Sequence, residues 1–346
     1  MPVEFIGTGA TNDETEARPR SSRDALDSAF TLELARVHQR TGWDRVLLYY
    51  GSGAPDPMQV AAYLTARLDR LGVTIAHRPN ASHPTHAARA FATLDQLSAG
   101  RVSVHVITGG GGDAEQAREG DTLDKSGRYQ RAAEYMQVMK KVWTSRQRFD
   151  HHGTHYRFDS YLSDVFPHRR PGPSVSFGGT TPEAVAVGAA EADVYCLWIG
   201  PLATVAEQIG QVRQAAARAG RAAPPRIQLS VQPVLAATDE LALEKARLTL
   251  GTVRARMGGR PAAERSAPFE GGRHHDRALW VPERGPAVLV GAPATVAAAL
   301  LDYYRLGVRI FSVRGFDFLL DAEEFGSDVI PLVRDAVARQ EAGRAD

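Results

Sequence analysis

Two hydrophobic patterns alternate along the chain. Short segments are either apolar throughout or alternate apolar with polar residues, while in longer stretches apolar residues recur every three or four positions. The first pattern predicts buried β-strands and the second predicts amphipathic helices. The clearest unit covers residues 73–108. It comprises a strand at residues 73–76, a helix predicted to begin at the cap residue Ser82, and a strand in which Val102, Val104 and Val106 alternate with Arg101, Ser103 and His105.

The strand patterns recur eight times, with helix patterns between them. They cover residues 3–9, 45–51, 73–76, 101–108, 175–179, 194–198, 226–236 and 308–314. Eight strands alternating with helices over 346 residues predict an α/β fold, a (β/α)8 barrel of the TIM type. The alternative is a doubly wound open sheet, which normally has a glycine fingerprint after its first strand. Here a polar loop follows Gly9, so the barrel is favoured.

The domain organisation follows from the same patterns. No internal linker or repeat interrupts the chain, so residues 1–346 are interpreted as a single domain. Residues 252–286 show neither pattern and are rich in Arg, Gly, His and Pro. This stretch is predicted to be a mobile insertion or lid before the last helix and strand, because long irregular connections in compact domains are usually functional.

Composition narrows the possible functions. The 41 Lys and Arg residues balance 40 Asp and Glu residues, which argues against a nucleic-acid partner bound through phosphates. No apolar run is long enough for a membrane span and no signal-peptide core is present, so a soluble cytoplasmic protein without a membrane partner is expected. The single cysteine excludes an internal disulfide, and the histidines fit no standard zinc spacing, so no metal is expected.

One motif suggests an anion site. Residues 177–182 read FGGTTP, in which a strand end, two glycines, two hydroxyls and a helix start follow one another. A helix N-terminus binds phosphate through its free N–H groups and its dipole. The alternative is an ordinary strand-to-helix turn with a threonine cap. The four glycines at residues 109–112 leave a similar choice between an anion site and a flexible turn.

Several motifs resemble the bacterial luciferase-like flavin monooxygenases. They are the run RAFATLDQLSAGR at residues 89–101 with the following strand end, the pair Arg128–Tyr129 at the head of a helix, the FGGTT turn, and VGAPATV at residues 290–296. The resemblance covers residues 5–333 and is strongest to the alkanesulfonate and dimethylsulfone monooxygenases. It implies a barrel that binds reduced FMN (FMNH2), received from a separate NAD(P)H-dependent flavin reductase. It also implies molecular oxygen as the co-substrate, a C4a-peroxyflavin as the oxygenating species, and assembly as a homodimer or tetramer.

The resemblance also assigns residues by position. His105 and Thr108 are expected to line the isoalloxazine ring. The FMN phosphate is expected at Tyr129, Gly178, Gly179, Thr180 and Thr181. The expected catalytic residues are His105, Arg284 and Trp198, with His105 as a flavin contact or proton donor and Arg284 on the lid. The expected substrate contacts are Trp198, Gln232, Arg314 and Phe316.

The departures from the alkanesulfonate enzymes shape the functional hypothesis. Those enzymes have Asn at the position of His105 and an active-site Cys near Ala54. They have Arg and His where this chain has Ser230 and Gln232, and Tyr where it has Phe316. The flavin half of the site is retained and the substrate half differs. The leading hypothesis is a two-component FMNH2-dependent monooxygenase acting on a small organic substrate other than a simple alkanesulfonate. Alternatives are an alkanesulfonate or sulfone monooxygenase releasing sulfite or sulfinate, a catalytically idle flavin-binding paralogue, and a deazaflavin enzyme.

Overall fold

The computed structural model describes residues 3–109, 112–257, 273–281 and 287–343. Its strands are β1 (Glu4–Gly9), β2 (Arg45–Leu48), β3 (Gly72–His77), β4 (Val102–Val106), β5 (Phe149–His152), β6 (Arg157–Tyr161), β7 (Ser174–Gly178), β8 (Val194–Trp198), β9 (Arg226–Val231), β10 (Pro233–Leu235), β11 (Arg273–His275), β12 (Leu279–Val281), β13 (Val288–Gly291) and β14 (Val308–Val313). Its helices are α1 (Ser28–Arg40), α2 (Pro57–Thr65), α3 (Pro84–Leu97), α4 (Gly112–Ala117), α5 (Lys125–Thr144), α6 (Pro182–Glu191), α7 (Leu202–Arg218), α8 (Asp239–Met257), α9 (Pro293–Leu306), α10 (Phe318–Glu324) and α11 (Ile330–Ala342). None of the helices within these ranges is both long and apolar enough to cross a bilayer.

The predicted barrel is confirmed. Eight strands close on one another in the order β1, β2, β3, β4, β7, β8, β9, β14, and they are the eight that the hydrophobic pattern identifies. Pairing is parallel between β1 and β14, β14 and β9, β3 and β4, β4 and β7, and β7 and β8. Because parallel strands end at the same edge of a sheet, polar residues that follow neighbouring strands lie close together.

The chain divides into two compact units. Unit 1 comprises Met1–Leu47, Leu197–Gly210 and Ile227–Asp346, and unit 2 comprises Leu48–Cys196 and Gln211–Arg226. Within the stretch expected to be an insertion, α8 continues to Met257 and two short strands, β11 and β12, form. Residues 258–272 and 282–286 lie outside the described residues. The single domain and the mobility of residues 252–286 stay predictions.

Unit 1 contains a small sheet that the hydrophobic pattern does not predict. The predicted strand at residues 226–236 splits into β9, which belongs to the barrel, and β10, which begins at Pro233 and pairs with β13. Strands β12 and β11 complete this four-stranded sheet. A buried apolar cluster joins the sheet to α8, and it consists of Val234, Ala242, Ala246, Leu250, Val288, Val290 and Phe316. Strands of three or four residues are too short to show a clear period.

Three local predictions differ from the structure. The predicted cap Ser82 is wrong, because the cap of α3 is His83, whose ring Nδ1 accepts from the Thr85 N–H at 3.4 Å. Pro84 occupies the first helical position and therefore places the cap at the residue before it. The short helix α4 is not predicted. The closing helix, predicted as continuous, contains a π-helical turn at Phe325–Val329.

Close packing of α6 on the barrel depends on Gly188. A side chain at Gly188 would begin 2.5 Å from Cε2 of Tyr195 and 2.9 Å from Cδ1 of Phe177, both fully buried. This glycine therefore allows α6 to approach β7 and β8, and it sets the position of the N-terminus of α6.

We predict opposite effects of alanine at two helical glycines. Gly188→Ala should lower the free energy of unfolding by about 1–3 kcal/mol, the usual cost of overpacking. Gly210→Ala in α7 should raise stability by about 0.5–1 kcal/mol, because among the described residues no atom beyond the adjacent helix backbone lies within 4 Å of the added methyl group. Urea denaturation of both variants and the parent measures these two changes in the free energy of unfolding. Equal stability of Gly188→Ala and the parent would contradict the packing described for α6.

Stability should also depend on the buried imidazole of His38. Its Nδ1 lies 2.7 Å from the Leu34 carbonyl oxygen, and burial lowers the pKa of His38 to about 4. The unfolded chain takes up a proton below about pH 6.5 while the folded chain does not. The free energy of unfolding should therefore fall, by about 1.4 kcal/mol per pH unit for this histidine, as the pH drops from about 6.5 to 4.

The test of this pH dependence compares variants. Urea denaturation at several pH values gives the slope of stability against pH for the parent and for His38→Gln. The slope should be smaller in His38→Gln, and replacement of the exposed His168 controls for the loss of one imidazole. An unchanged slope in His38→Gln would show that this histidine binds protons equally in the folded and the unfolded protein, and would contradict the lowered pKa.

Candidate functional site

The first part of the candidate site is a row of polar side chains on one face of β3, β4 and β7 in unit 2. Val102, Val104 and Val106 of β4 are buried on one face, which places Ser103 and His105 on the other. Ser103 lies opposite Thr74 of β3, and their hydroxyl oxygens are 2.8 Å apart. His105 lies opposite Ser176 of β7. The alternation that predicts β4 therefore also places His105 among polar neighbours.

His105 is held by two neighbouring strands. Its Nδ1 lies 2.9 Å from Oγ of Ser176, and Ser176 in turn donates to the Val104 carbonyl oxygen at 3.1 Å. Sγ of Cys196, on β8, lies 3.9 Å from the same Nδ1. Burial lowers the pKa of His105 to about 4 and raises the pKa of the Cys196 thiol to about 12. Both groups are therefore neutral at pH 7.

The second part is the glycine turn after β7. A side chain at Gly178 would begin 2.7 Å from the Cys196 carbonyl oxygen, and one at Gly179 would begin 2.5 Å from Cβ of Ala184. Both positions therefore require glycine for close approach of the backbone. The Tyr195 hydroxyl donates to the Gly179 carbonyl oxygen at 2.8 Å and fixes the turn.

Helix α6 begins directly after this turn, as predicted. Thr181 is its cap, and Oγ1 of Thr181 accepts from the Ala184 N–H at 3.3 Å. The first N–H groups of any helix lack partners within the helix, so they are available to an anion. Thr180 beside the cap is exposed.

Tyr129 brings a further hydroxyl to the turn. Its ring is 8% exposed and makes an edge contact with Phe177. Its hydroxyl lies 3.8 Å from the point where a side chain at Gly179 would begin. This hydroxyl has no hydrogen-bond partner within the described ranges. The structure thus places Tyr129, Gly179 and the start of α6 together, as the sequence assignment requires.

Arg128 supports the candidate site, and the sequence does not predict this role. It is buried, and its guanidinium donates to the carbonyl oxygens of Thr108 at 2.9 Å and Leu123 at 2.7 Å and to Asp113 at 2.6 Å. Arg128 therefore joins the end of β4, where Thr108 lies, to the start of α5, which carries Tyr129.

In unit 1, three sequence candidates lie at the ends of adjacent strands. Trp198 ends β8 and is 60% exposed. The next residue, Ile199, donates its N–H to the Ser230 carbonyl oxygen of β9, and the Arg314 N–H donates to the Val231 carbonyl oxygen. Gln232 follows Val231 and is half-buried. Trp198, Gln232 and Arg314 therefore lie at one edge of unit 1.

The Arg314 side chain is already paired. Its Nη1 lies 2.6 Å from Oε1 of Glu16. Burial of Glu16 opposes ionisation, but the Arg314 guanidinium outweighs that effect and lowers the pKa of the carboxyl group. Phe316, the fourth expected substrate contact, is 8% exposed within the apolar cluster around α8. An anionic ligand at Arg314 would have to compete with Glu16.

Two candidates fall partly or wholly outside the described residues. Arg284 lies outside them, and so do Gly110 and Gly111 of the four-glycine run. Gly112 begins the six-residue helix α4. Over the ranges that the structure does describe, no group of three or more His, Cys, Asp or Glu side chains is placed to hold a metal ion.

Several solved structures have the same fold. A riboflavin lyase, solved with modified FMN and riboflavin, aligns over 97% of this chain and 92% of its own with a TM-score of 0.81 and 19% identity. The EDTA monooxygenase from Chelativorans sp. BNC1 aligns over 97% and 95% with a TM-score of 0.76 and 16% identity. An F420-dependent secondary alcohol dehydrogenase, in complex with an F420–acetone adduct, aligns over 97% and 100% with a TM-score of 0.71 and 16% identity.

Family membership comes from the sequence comparison. The family model described as luciferase-like monooxygenase matches residues 9–309, which is most of the chain. The match includes β4, the Arg128–Tyr129 pair and the glycine turn before α6. This protein belongs to the luciferase-like monooxygenase family of flavin-dependent enzymes.

Proposed function

We propose that this protein is a two-component monooxygenase that uses reduced FMN and molecular oxygen to oxygenate a small organic substrate. A separate NAD(P)H-dependent reductase would supply the flavin. One observation carries the proposal: the unpartnered Tyr129 hydroxyl lies beside Gly179 at the N-terminus of α6. This arrangement fits the phosphate group of FMN.

The donors around the turn suit a phosphate dianion. Tyr129 offers a phenolic hydroxyl, Thr180 and Thr181 offer aliphatic hydroxyls, and α6 offers backbone N–H groups and the positive end of its dipole. Gly178 and Gly179 leave the backbone uncovered by side chains. Hydrogen bonds from these donors to a charged acceptor are about twice as strong as bonds between neutral groups.

The isoalloxazine contacts follow from the same strands. Ser176 lies two residues before Gly178 on β7, so His105, its partner on β4, lies near the glycine turn. Thr108 ends the segment after β4, and Arg128 holds its carbonyl oxygen. We propose that His105 and Thr108 contact the flavin ring. Bound reduced FMN supplies the electrons for oxygen activation, and the protein binds, orients and shields it from water.

The substrate half of the site favours a ligand with little negative charge. Ser230 and Gln232 are neutral, and Arg314 is paired with Glu16. A sulfonate would therefore find few free cationic donors among the described residues at the edge of unit 1. We propose Trp198 and Gln232 as substrate contacts, because Trp198 exposes an apolar ring and Gln232 offers an amide. Arg284 remains a proposed lid contact.

The comparisons support a flavin-type cofactor and favour one alternative to FMN. The riboflavin lyase structure contains modified FMN, and the EDTA monooxygenase is, by its name, an enzyme that oxygenates its substrate. The F420-dependent dehydrogenase shows that a deazaflavin also occurs in this fold. A deazaflavin reductase or dehydrogenase is therefore the second candidate function.

The phosphate site gives a direct prediction. Tyr129→Phe removes one hydroxyl donor and should weaken FMN binding by about 10- to 100-fold, because a hydrogen bond to a charged group contributes about 1.5–3 kcal/mol. Riboflavin, which lacks the phosphate, should bind the variant and the parent equally. Fluorescence titration with both flavins measures the effect.

A matched variant controls for the loss of a buried tyrosine hydroxyl. Tyr303 is buried in unit 1 and donates to the Gly200 carbonyl oxygen at 2.6 Å, so Tyr303→Phe should leave FMN binding unchanged. Equal losses for FMN and riboflavin in Tyr129→Phe would mean that the hydroxyl does not contact the phosphate. Absence of binding of both flavins to the parent would contradict the proposed function itself.

A further inference from the structure

We propose that Ser176 fixes the tautomer of His105, so that Nε2 presents a lone pair as a hydrogen-bond acceptor for the ring N–H groups of reduced flavin. The acceptor role rests on the proposed function, whereas the tautomer is a property of this chain alone. His105 is then a hydrogen-bond acceptor in the resting enzyme, and Ser176 is its positioning residue. This conclusion replaces the role of proton donor that the sequence left open for His105.

The hydrogen bonds of Ser176 indicate which ring nitrogen of His105 carries the proton. Ser176 has one hydroxyl proton and two lone pairs on Oγ. Oγ is within bonding distance of the Val104 carbonyl oxygen at 3.1 Å and of His105 Nδ1 at 2.9 Å, and Ser176 also hydrogen-bonds with the Cys196 side chain. A carbonyl oxygen only accepts, so the bond from Ser176 to Val104 uses the hydroxyl proton. Oγ then has only lone pairs for His105. Both bonds form only if Nδ1 carries the imidazole proton.

The surroundings of His105 keep the ring neutral. On the neighbouring strands, β3 places Ala76 opposite His105, β7 places Ser176 opposite it, and β8 brings Cys196 near it. Cys196 is the only titratable group among these neighbours, and its buried thiol is uncharged at pH 7. No carboxylate among the described residues contacts the ring to stabilise a second proton. With one proton on Nδ1, Nε2 must be unprotonated.

The free nitrogen lies where a ligand would meet it. Within the described ranges Nε2 has no hydrogen-bond partner. His105 lies next to the last residue of β4, at the carboxyl end of the strand, where parallel barrels bind their ligands. Reduced flavin has ring N–H groups that oxidised flavin lacks. An acceptor at Nε2 therefore favours the reduced form.

Nuclear magnetic resonance of ring-labelled histidine tests the tautomer in the full-length protein without flavin. The His105 signals are assigned by their loss in His105→Gln. At pH 7 the parent should show Nδ1 protonated and Nε2 unprotonated. Ser176→Ala should shift the population towards the Nε2–H form, and Ser176→Thr, which keeps a hydroxyl, should restore the parent pattern.

Ser103 provides the matched control. It is buried like Ser176, lies two residues before His105, and bonds with Thr74 rather than with the imidazole. Ser103→Ala should therefore leave the His105 signals unchanged. An Nε2–H tautomer or an imidazolium in the parent at pH 7, or unchanged His105 signals in Ser176→Ala, would overturn the role of Ser176.

A second arm adds flavin under anaerobic conditions. Reduced FMN should shift the Nε2 resonance of His105 more than oxidised FMN does. If reduced FMN binds, as monitored by absorbance, and the Nε2 resonance stays in place, the acceptor role is wrong. If neither flavin binds, the proposed function fails, and the tautomer measured without flavin still decides the role of Ser176.

Discussion

Parallel pairing of β4, β7 and β8 determines where the candidate flavin contacts lie. In this register His105 faces Ser176, and Gly178 faces Cys196. Because side chains alternate between faces, a slip of one residue would move His105 to the opposite face of the sheet and separate it from Ser176. The same pairing ends β7 at the glycine turn and therefore starts α6 beside Tyr129. The position of the imidazole and the position of the proposed anion site are consequences of one register.

Close packing and side-chain hydrogen bonds to backbone carbonyl oxygens hold the elements around these strands in place. Gly188 allows α6 to pack closely on β7 and β8, and Tyr195 fixes the Gly179 carbonyl oxygen. Arg128 satisfies the carbonyl oxygen of Thr108 with a buried guanidinium, which ties the end of β4 to the start of α5. A site that depends on several fixed donors needs such support, because small displacements weaken hydrogen bonds.

Much of the fold can be predicted from the sequence, because each barrel strand is a short apolar or alternating segment that can be recognised by itself. The eight barrel strands are identified correctly, and their ends differ from the structure by a few residues. The small sheet of β10 to β13 is not predicted, since its strands have three or four residues each and no clear period. The chain leaves the barrel before Pro233, and only the partner strand β13 shows where β10 belongs.

The candidate site likewise has one part that the sequence predicts and one part that it does not. The FGGTTP turn is predictable, because close backbone approach, capping and an anion site all depend on consecutive residues. The partners of His105 are distant in sequence, 71 residues away for Ser176 and 91 for Cys196. The pairing of Arg314 with Glu16 spans 298 residues. Such contacts decide the charge and tautomer of a side chain, and no local pattern identifies the two partners. The sequence shows only that a polar residue, Ser176, lies within the strand before FGG.

The most direct test of the account is an anaerobic titration of the protein with reduced FMN, oxidised FMN and reduced coenzyme F420, followed by admission of oxygen. The account predicts that reduced FMN binds most tightly and that admission of oxygen yields oxidised FMN more slowly on the protein than in solution, because exclusion of water slows the loss of hydrogen peroxide that completes reoxidation. Tighter binding of reduced F420, or no binding of FMN in either redox state, would contradict it.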